Sequence, residues 1–171
     1  MILSVGVLTL VTLQRVFELG IARRNTRRLM ARGAVEVAPG HYPLIVAVHA
    51  AWIAGLWLLA WDRPMTPGWL VLFALFQAAR VWVIATLGER WTTRIIVLPG
   101  APLVRKGPYR FLDHPNYVVV AGEIATLPLA FGLEVFALAF SVLNALVLFV
   151  RIRAEQAALT AAQVAVPVAP L

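Results

Sequence analysis

The stretch Leu103 to Tyr117, LVRKGPYRFLDHPNY, sets Tyr109, His114, Asn116 and Tyr117 among Arg105, Lys106 and Arg110, directly before an apolar run. Imidazole, phenol, amide and guanidinium groups are costly to bury in lipid. A cluster of them at a membrane boundary is a functional site if it faces a cavity, and a re-entry loop anchored in the headgroups if it does not. A second cluster lies downstream, where Arg151 and Glu155 have the i, i+4 spacing that puts both on one helix face. Alone, that pair reads as an exposed ion pair worth at most about 1 kcal/mol. Brought together, the two clusters supply a cation, a carboxylate, an imidazole and aromatic rings, a set that suits a small zwitterionic ligand. Metal chemistry is not expected, because Cys is absent and His41, His49 and His114 lack ligand spacing.

The elements that must position these groups are membrane helices. The 171 residues are 61% hydrophobic and 13% charged, far from a soluble domain, in which roughly 45–50% of residues are apolar. Spans of about 20 apolar residues are needed to cross a bilayer. Candidates are Met1 to about Ile21, Leu44 to Trp61, Trp69 to about Leu87, and two shorter runs, Tyr117 to Phe131 and Val135 to Val150. The first lacks a basic leader and a cleavage site and reads as a retained helix. Asp62 to Gly68 is a tight turn flanked by Trp61 and Trp69 as interfacial aromatics. The expected fold is an all-α integral membrane protein of five transmembrane helices, the last two a hairpin. One domain spans residues 1–163, followed by a disordered tail over 164–171.

Five crossings put the Arg23 to Arg32 loop, the Arg90 to Arg110 segment and the Arg151 exit on one side, with Arg63 opposite. The positive-inside rule makes that side cytoplasmic and the amino terminus external. The net charge of +7 is therefore read as topology and attraction to membrane lipids rather than nucleic-acid binding. Inside the helices, Glu123 must point into the bundle, as a structural hydrogen-bonding group or as part of a substrate pocket, with Arg80 its natural partner. Gln14, Arg15 and Glu18 are expected to snorkel toward the cytoplasmic surface or line a substrate entry. His49 is expected to be a hydrogen-bonded core histidine.

GPYRFLDHPNY followed, past a hairpin, by RIRAEQAAL resembles the isoprenylcysteine carboxyl methyltransferase family. RRNTRRL, HYPLIVAVHAAW and RWTTRIIVLPGAPLV resemble its small bacterial branch, often encoded beside type III polyketide synthases, and extend the likeness over nearly the whole chain. The resemblance implies a methyltransferase of the inner membrane that uses S-adenosyl-L-methionine without a Rossmann domain, in keeping with the absence of a Gly-rich strand-to-helix loop. It implies a cytoplasmic cofactor site in which Ala101, Pro102, Leu103 and Val104 contribute backbone groups. Tyr109, His114, Pro115, Asn116 and Tyr117 would contact the cofactor, and Glu155 would bind its polar end. Arg151 would be the catalytic group facing the acceptor. The acceptor would be a lipophilic molecule from the bilayer, prenylcysteine-like or polyketide-derived, methylated on a carboxylate or on a phenol or enol oxygen. The sequence departs from the family pattern at Asp113, where Arg is common, and at Gln156, where a second Glu is common; Asp113 is a candidate partner for Arg110. Two other readings compete: a membrane reductase of the sterol-reductase type using NADPH, and a transporter or scaffold without enzymatic activity. The oligomeric state is not legible.

Overall fold

In the computed structural model, which describes residues 1–164, five helices carry the chain: α1 (Ile2–Ala31), α2 (Tyr42–Ala60), α3 (Pro67–Leu87), α4 (Pro115–Ala130) and α5 (Glu134–Val164). The tail expected over 164–171 lies outside the described residues apart from Val164, which ends α5. Two short strands, β1 (Val35–Glu36) and β2 (Ile96–Val97), pair antiparallel. The architecture is that of an all-α membrane protein. Four helices, all except α4, are long and apolar enough to cross a bilayer. The fifth, α4, has 16 residues and rises about 24 Å, short of the roughly 30 Å hydrocarbon core. It compensates by burial: Val119, Val120, Glu123, Ile124, Thr126, Leu127 and Ala130 are all enclosed by neighbouring helices.

Two helices run past the expected spans. The α1 helix continues through the arginine segment to Ala31, because Arg, Leu, Ala and Met are good helix formers and no breaker intervenes before Gly33, whose φ is +86°. The α5 helix likewise continues beyond Val150 through RIRAEQAA. What a hydropathy reading treats as a loop and an exit is therefore helix projecting beyond the apolar span.

Contacts fix the two ends of the bundle. At one end the Ser4 hydroxyl donates to the Arg63 carbonyl at 2.6 Å, and the Thr66 amide donates to the Ala130 carbonyl at 2.7 Å. At the other, the Asn25 amide donates to the carbonyls of Gly88 and Trp91, and β1 pairs with β2. Arg23 to Arg32, Arg90 to Arg110 and Arg151 thus gather at the second end, and Arg63 lies at the first.

Between the ends, Leu8, Val11, Trp52, Leu56, Phe73, Ile124, Leu127 and Phe131 form the apolar core. Leu10, Leu13, Val16, Phe17, Val71 and Leu75 are exposed, the pattern of helices solvated by lipid. A polar network is also enclosed. Arg80 bonds both oxygens of Glu18, at 2.6 Å each, and Glu123 at 3.0 Å; Arg15 reaches Glu18 at 3.0 Å and Glu123 at 2.7 Å. Gln14 donates to Gln77 at 3.0 Å. Arg80 and Glu123 pair as the sequence suggested, but Arg15 and Glu18 do not snorkel. Snorkelling keeps a charge solvated at the surface, whereas here each charge meets an opposite one inside the bundle. His49 bonds the Ile45 carbonyl through Nδ1 at 2.9 Å, as expected of a core histidine.

Candidate functional site

The segment from Gly88 to Pro115 lacks long elements and is shaped by what it is fastened to. Gly88, with φ +55°, ends α3 and turns the chain away from the helix axis. The buried Asn25 side chain then holds the carbonyls of Gly88 and Trp91 at 3.0 and 2.9 Å. Further along, the Val37 amide donates to the Ile95 carbonyl, and Val35 and Glu36 pair with Val97 and Ile96. Arg94 donates to Glu36 at 2.6 Å and lies over the Tyr42 ring. The α1 extension therefore carries the ribbon that forms one wall of the site.

The opposite wall comes from the α4–α5 hairpin. Pro115 occupies the first turn of α4, where its missing N–H costs nothing, and His114 is the N-cap residue. This entry places Tyr117 one turn into α4, facing α5. Its hydroxyl accepts from Arg151 Nε at 2.9 Å and donates to Glu155. Arg151, nearly fully buried, also donates through Nη1 to the Thr93 carbonyl at 2.7 Å, joining the hairpin to the ribbon. The His114 ring stacks on Tyr117 at 5.1 Å, with Nδ1 4.0 Å from Glu155. One hydroxyl thus bridges a cation and a carboxylate, and a carboxylate can accept further hydrogen bonds beyond that one.

These walls enclose a cavity of about 700 Å³, within the range of small-molecule sites. Ala101, Pro102, Leu103, Val104, Tyr109, His114, Asn116, Tyr117, Arg151 and Glu155 all line it. Pro115 is buried in the helix start and Glu123 is fully enclosed by Arg80 and Arg15; neither borders the cavity. The buried Asn116 Oδ1 has no hydrogen-bond partner. Burial, and secondarily the Glu155 charge, push the Tyr109 phenol up to about 12, so it stays protonated at neutral pH.

Trp91, Thr92, Arg94 and Ile96 also line the cavity. Sequence reasoning did not single them out, because only Ile96 lies in a strand, and a strand of two residues is too short to leave a periodic signal. Thr93 enters through its carbonyl, which no side-chain pattern could reveal. Asp113 and Gln156, the two departures from the family pattern, both stand on the cavity wall. Arg110 lies over the Phe111 ring, and no ion pair links it to Asp113 among the described residues.

Comparison with known proteins places this geometry. A sequence model of the isoprenylcysteine carboxyl methyltransferase (ICMT) family matches residues 69–161, the stretch that supplies α3, the cavity loop and the α4–α5 hairpin. The chain is 38% identical over 157 residues to uncharacterized protein YpbQ of Bacillus subtilis, covering 89% of this chain and 94% of that protein. It is 29% identical over 154 residues to an uncharacterized protein of Haemophilus influenzae, covering 85% of this chain and 88% of that one. No solved structure matches.

Proposed function

The chain belongs to the isoprenylcysteine carboxyl methyltransferase family, and from that premise we propose that it is a membrane methyltransferase using S-adenosyl-L-methionine to methylate an oxygen of a lipophilic acceptor. The observation that carries the reading is the Arg151, Tyr117 and Glu155 chain on the wall of a cavity at the basic end of the bundle. Its donor set suits the cofactor. Glu155 is a carboxylate for an ammonium group, and the rings of Tyr109 and Tyr117, both on the cavity wall, can attract a sulfonium by about 0.5–2 kcal/mol. The loop Ala101 to Val104 offers backbone groups, and Asn116 Oδ1 is an acceptor in want of a donor.

S-adenosylmethionine, when bound, supplies a methyl carbon activated by its sulfonium: the acceptor oxygen forms a bond to that carbon as the C–S bond breaks, its electron pair passing to sulfur to leave S-adenosylhomocysteine. No side-chain nucleophile is needed, so the protein's task is alignment and exclusion of water. Arg151 uses Nε and Nη1 within the fold and keeps Nη2 for the acceptor. A carboxylate acceptor arrives ionised and needs only that cation. A phenol or enol must lose a proton, which the cation favours by lowering its pKa; His114 is the imidazole on the cavity wall that can receive it. Prenylcysteine-like and polyketide-derived lipids both satisfy this chemistry. The excess of Arg at the basic end supports a site on the cytoplasmic face of the inner membrane, with the amino terminus outside.

The test is calorimetric titration of the detergent-purified chain with S-adenosylhomocysteine and, separately, with NADPH. Saturable one-site binding of the first alone is the expected result. Binding of NADPH alone would point to a reductase, and binding of neither by a folded sample in a lipid nanodisc would overturn the methyltransferase reading.

A further inference from the structure

Adjoining the first cavity, with which it shares Leu87, Arg90, Arg105 and the 102–104 loop, a second cavity of about 450 Å³ opens where the end of α3 meets residues 102–106. Arg90, Arg105 and Lys106 converge on it. All three are exposed, and none has a carboxylate partner among the described residues. The nearby Glu89 does not neutralise them, because it is held by Arg28 and Arg32 at 2.9 Å each. Arg90 is positioned by donating to the Pro102 carbonyl at 2.5 Å. The remaining wall is Thr86 with Leu87, Pro102, Leu103 and Val104, so the site is cationic on one side and apolar on the other.

The site is built into the fold. Gly107 has φ +55°, and a Cβ there would come 2.5 Å from Thr86 Oγ1, so only glycine lets the chain carrying Arg105 and Lys106 lie this close to α3. The cavity also stands at the membrane boundary. Trp82, one helical turn below Thr86, and Leu75, two turns further, are exposed on the same face of α3 and continue the apolar wall toward the bilayer.

We propose that this cavity binds the phosphodiester headgroup of an anionic phospholipid, with the three cations on the phosphate and the acyl chains along Trp82 and Leu75. A basic pocket at the end of a membrane helix, open to lipid on its apolar side, is a site where charge and hydrophobicity select the same ligand. The site is distinct from the general attraction of the α1 arginines for the membrane surface, since none of them lines this cavity. It shares residues 102–104 with the proposed cofactor site but uses the Arg90, Arg105 and Lys106 side chains, to which that reading assigns no role.

Native mass spectrometry of the full chain in detergent, incubated with phosphatidylglycerol or phosphatidylcholine, tests the proposal. Phosphatidylglycerol should be retained in preference to phosphatidylcholine. The Arg105→Gln/Lys106→Gln variant should lose retention by about tenfold or more, while Arg23→Gln/Arg24→Gln should keep it. Helicity by circular dichroism checks the fold of each, and Lys106→Gln alone, at an exposed position, serves if the double variant does not fold. Equal retention of the two lipids, or equal loss in both double variants, would overturn the site. Displacement of the lipid by glycerol phosphate at matching concentration would overturn the assignment to a lipid and leave a free phosphate ester as the ligand.

Discussion

Arg80 of α3 grips Glu18 of α1 through two hydrogen bonds of 2.6 Å, one from Nε and one from Nη2, within the apolar span of both helices. The pair is closed by Glu123 and Arg15, so two guanidinium groups face two carboxylates with little solvent. Removing one member strands the others, which in a buried network costs about 3–5 kcal/mol. Arg80→Met should therefore lower the thermal unfolding temperature in detergent sharply. Adding Glu18→Gln should recover part of the loss, because the unpaired carboxylate is then neutral. Additive losses in the double variant would show that the two residues do not act as a pair.

Tyr117→Phe removes the hydroxyl that bridges Arg151 and Glu155 while leaving the ring that stacks on His114. Hydrogen bonds to charged groups are worth about 1.5–3 kcal/mol, so S-adenosylhomocysteine affinity should fall by roughly tenfold to a hundredfold as Glu155 loses its orientation. An unchanged dissociation constant by calorimetry would mean that the hydroxyl has no part in holding the carboxylate for the cofactor.

Glu155→Ala and His114→Ala should weaken S-adenosylhomocysteine binding, whereas Arg151→Ala should chiefly lower turnover once an acceptor is in hand. Arg151 is also a strut between α5 and the Thr93 carbonyl. Arg151→Lys is therefore the sharper variant: it keeps a cation but loses the planar donor set. It should fold and still turn over slowly. Normal cofactor affinity in both Glu155→Ala and His114→Ala would remove those residues from the site.

Much of this arrangement was legible in the sequence, and the missing parts share a cause. Hydropathy and breakers such as Pro67, Gly88 and Gly132 located the helices, and the HPNY and RIRAE segments located the two halves of the hairpin wall. The ribbon wall was not legible. Val35, Glu36, Ile96 and Val97 pair over two residues only, and the anchor that holds them, Asn25, sits in what composition presents as an arginine loop. The opposite fate of Arg15 and Glu18 has the same origin. Nothing local distinguishes a snorkelling arginine from one whose partner, Glu123, arrives more than a hundred residues later. Short-range pattern reports which groups are costly to bury; long-range pairing decides whether they are buried.

The Tyr109 phenol is held neutral by burial and by the nearby Glu155 charge, with its pKa at about 12. Its usual value is about 10. Both causes disfavour the phenolate, so the hydroxyl remains protonated until pH approaches 12, and between pH 10 and 12 the folded chain retains a proton that an unfolded one releases. The pH dependence of turnover should then show no Tyr109 ionisation below pH 10, and Tyr109→Phe should leave the shape of the profile unchanged there while altering only its height. A basic limb that disappears in Tyr109→Phe would show instead that the phenol ionises during the reaction, and that Tyr109, not Arg151 or His114, governs the acceptor's proton.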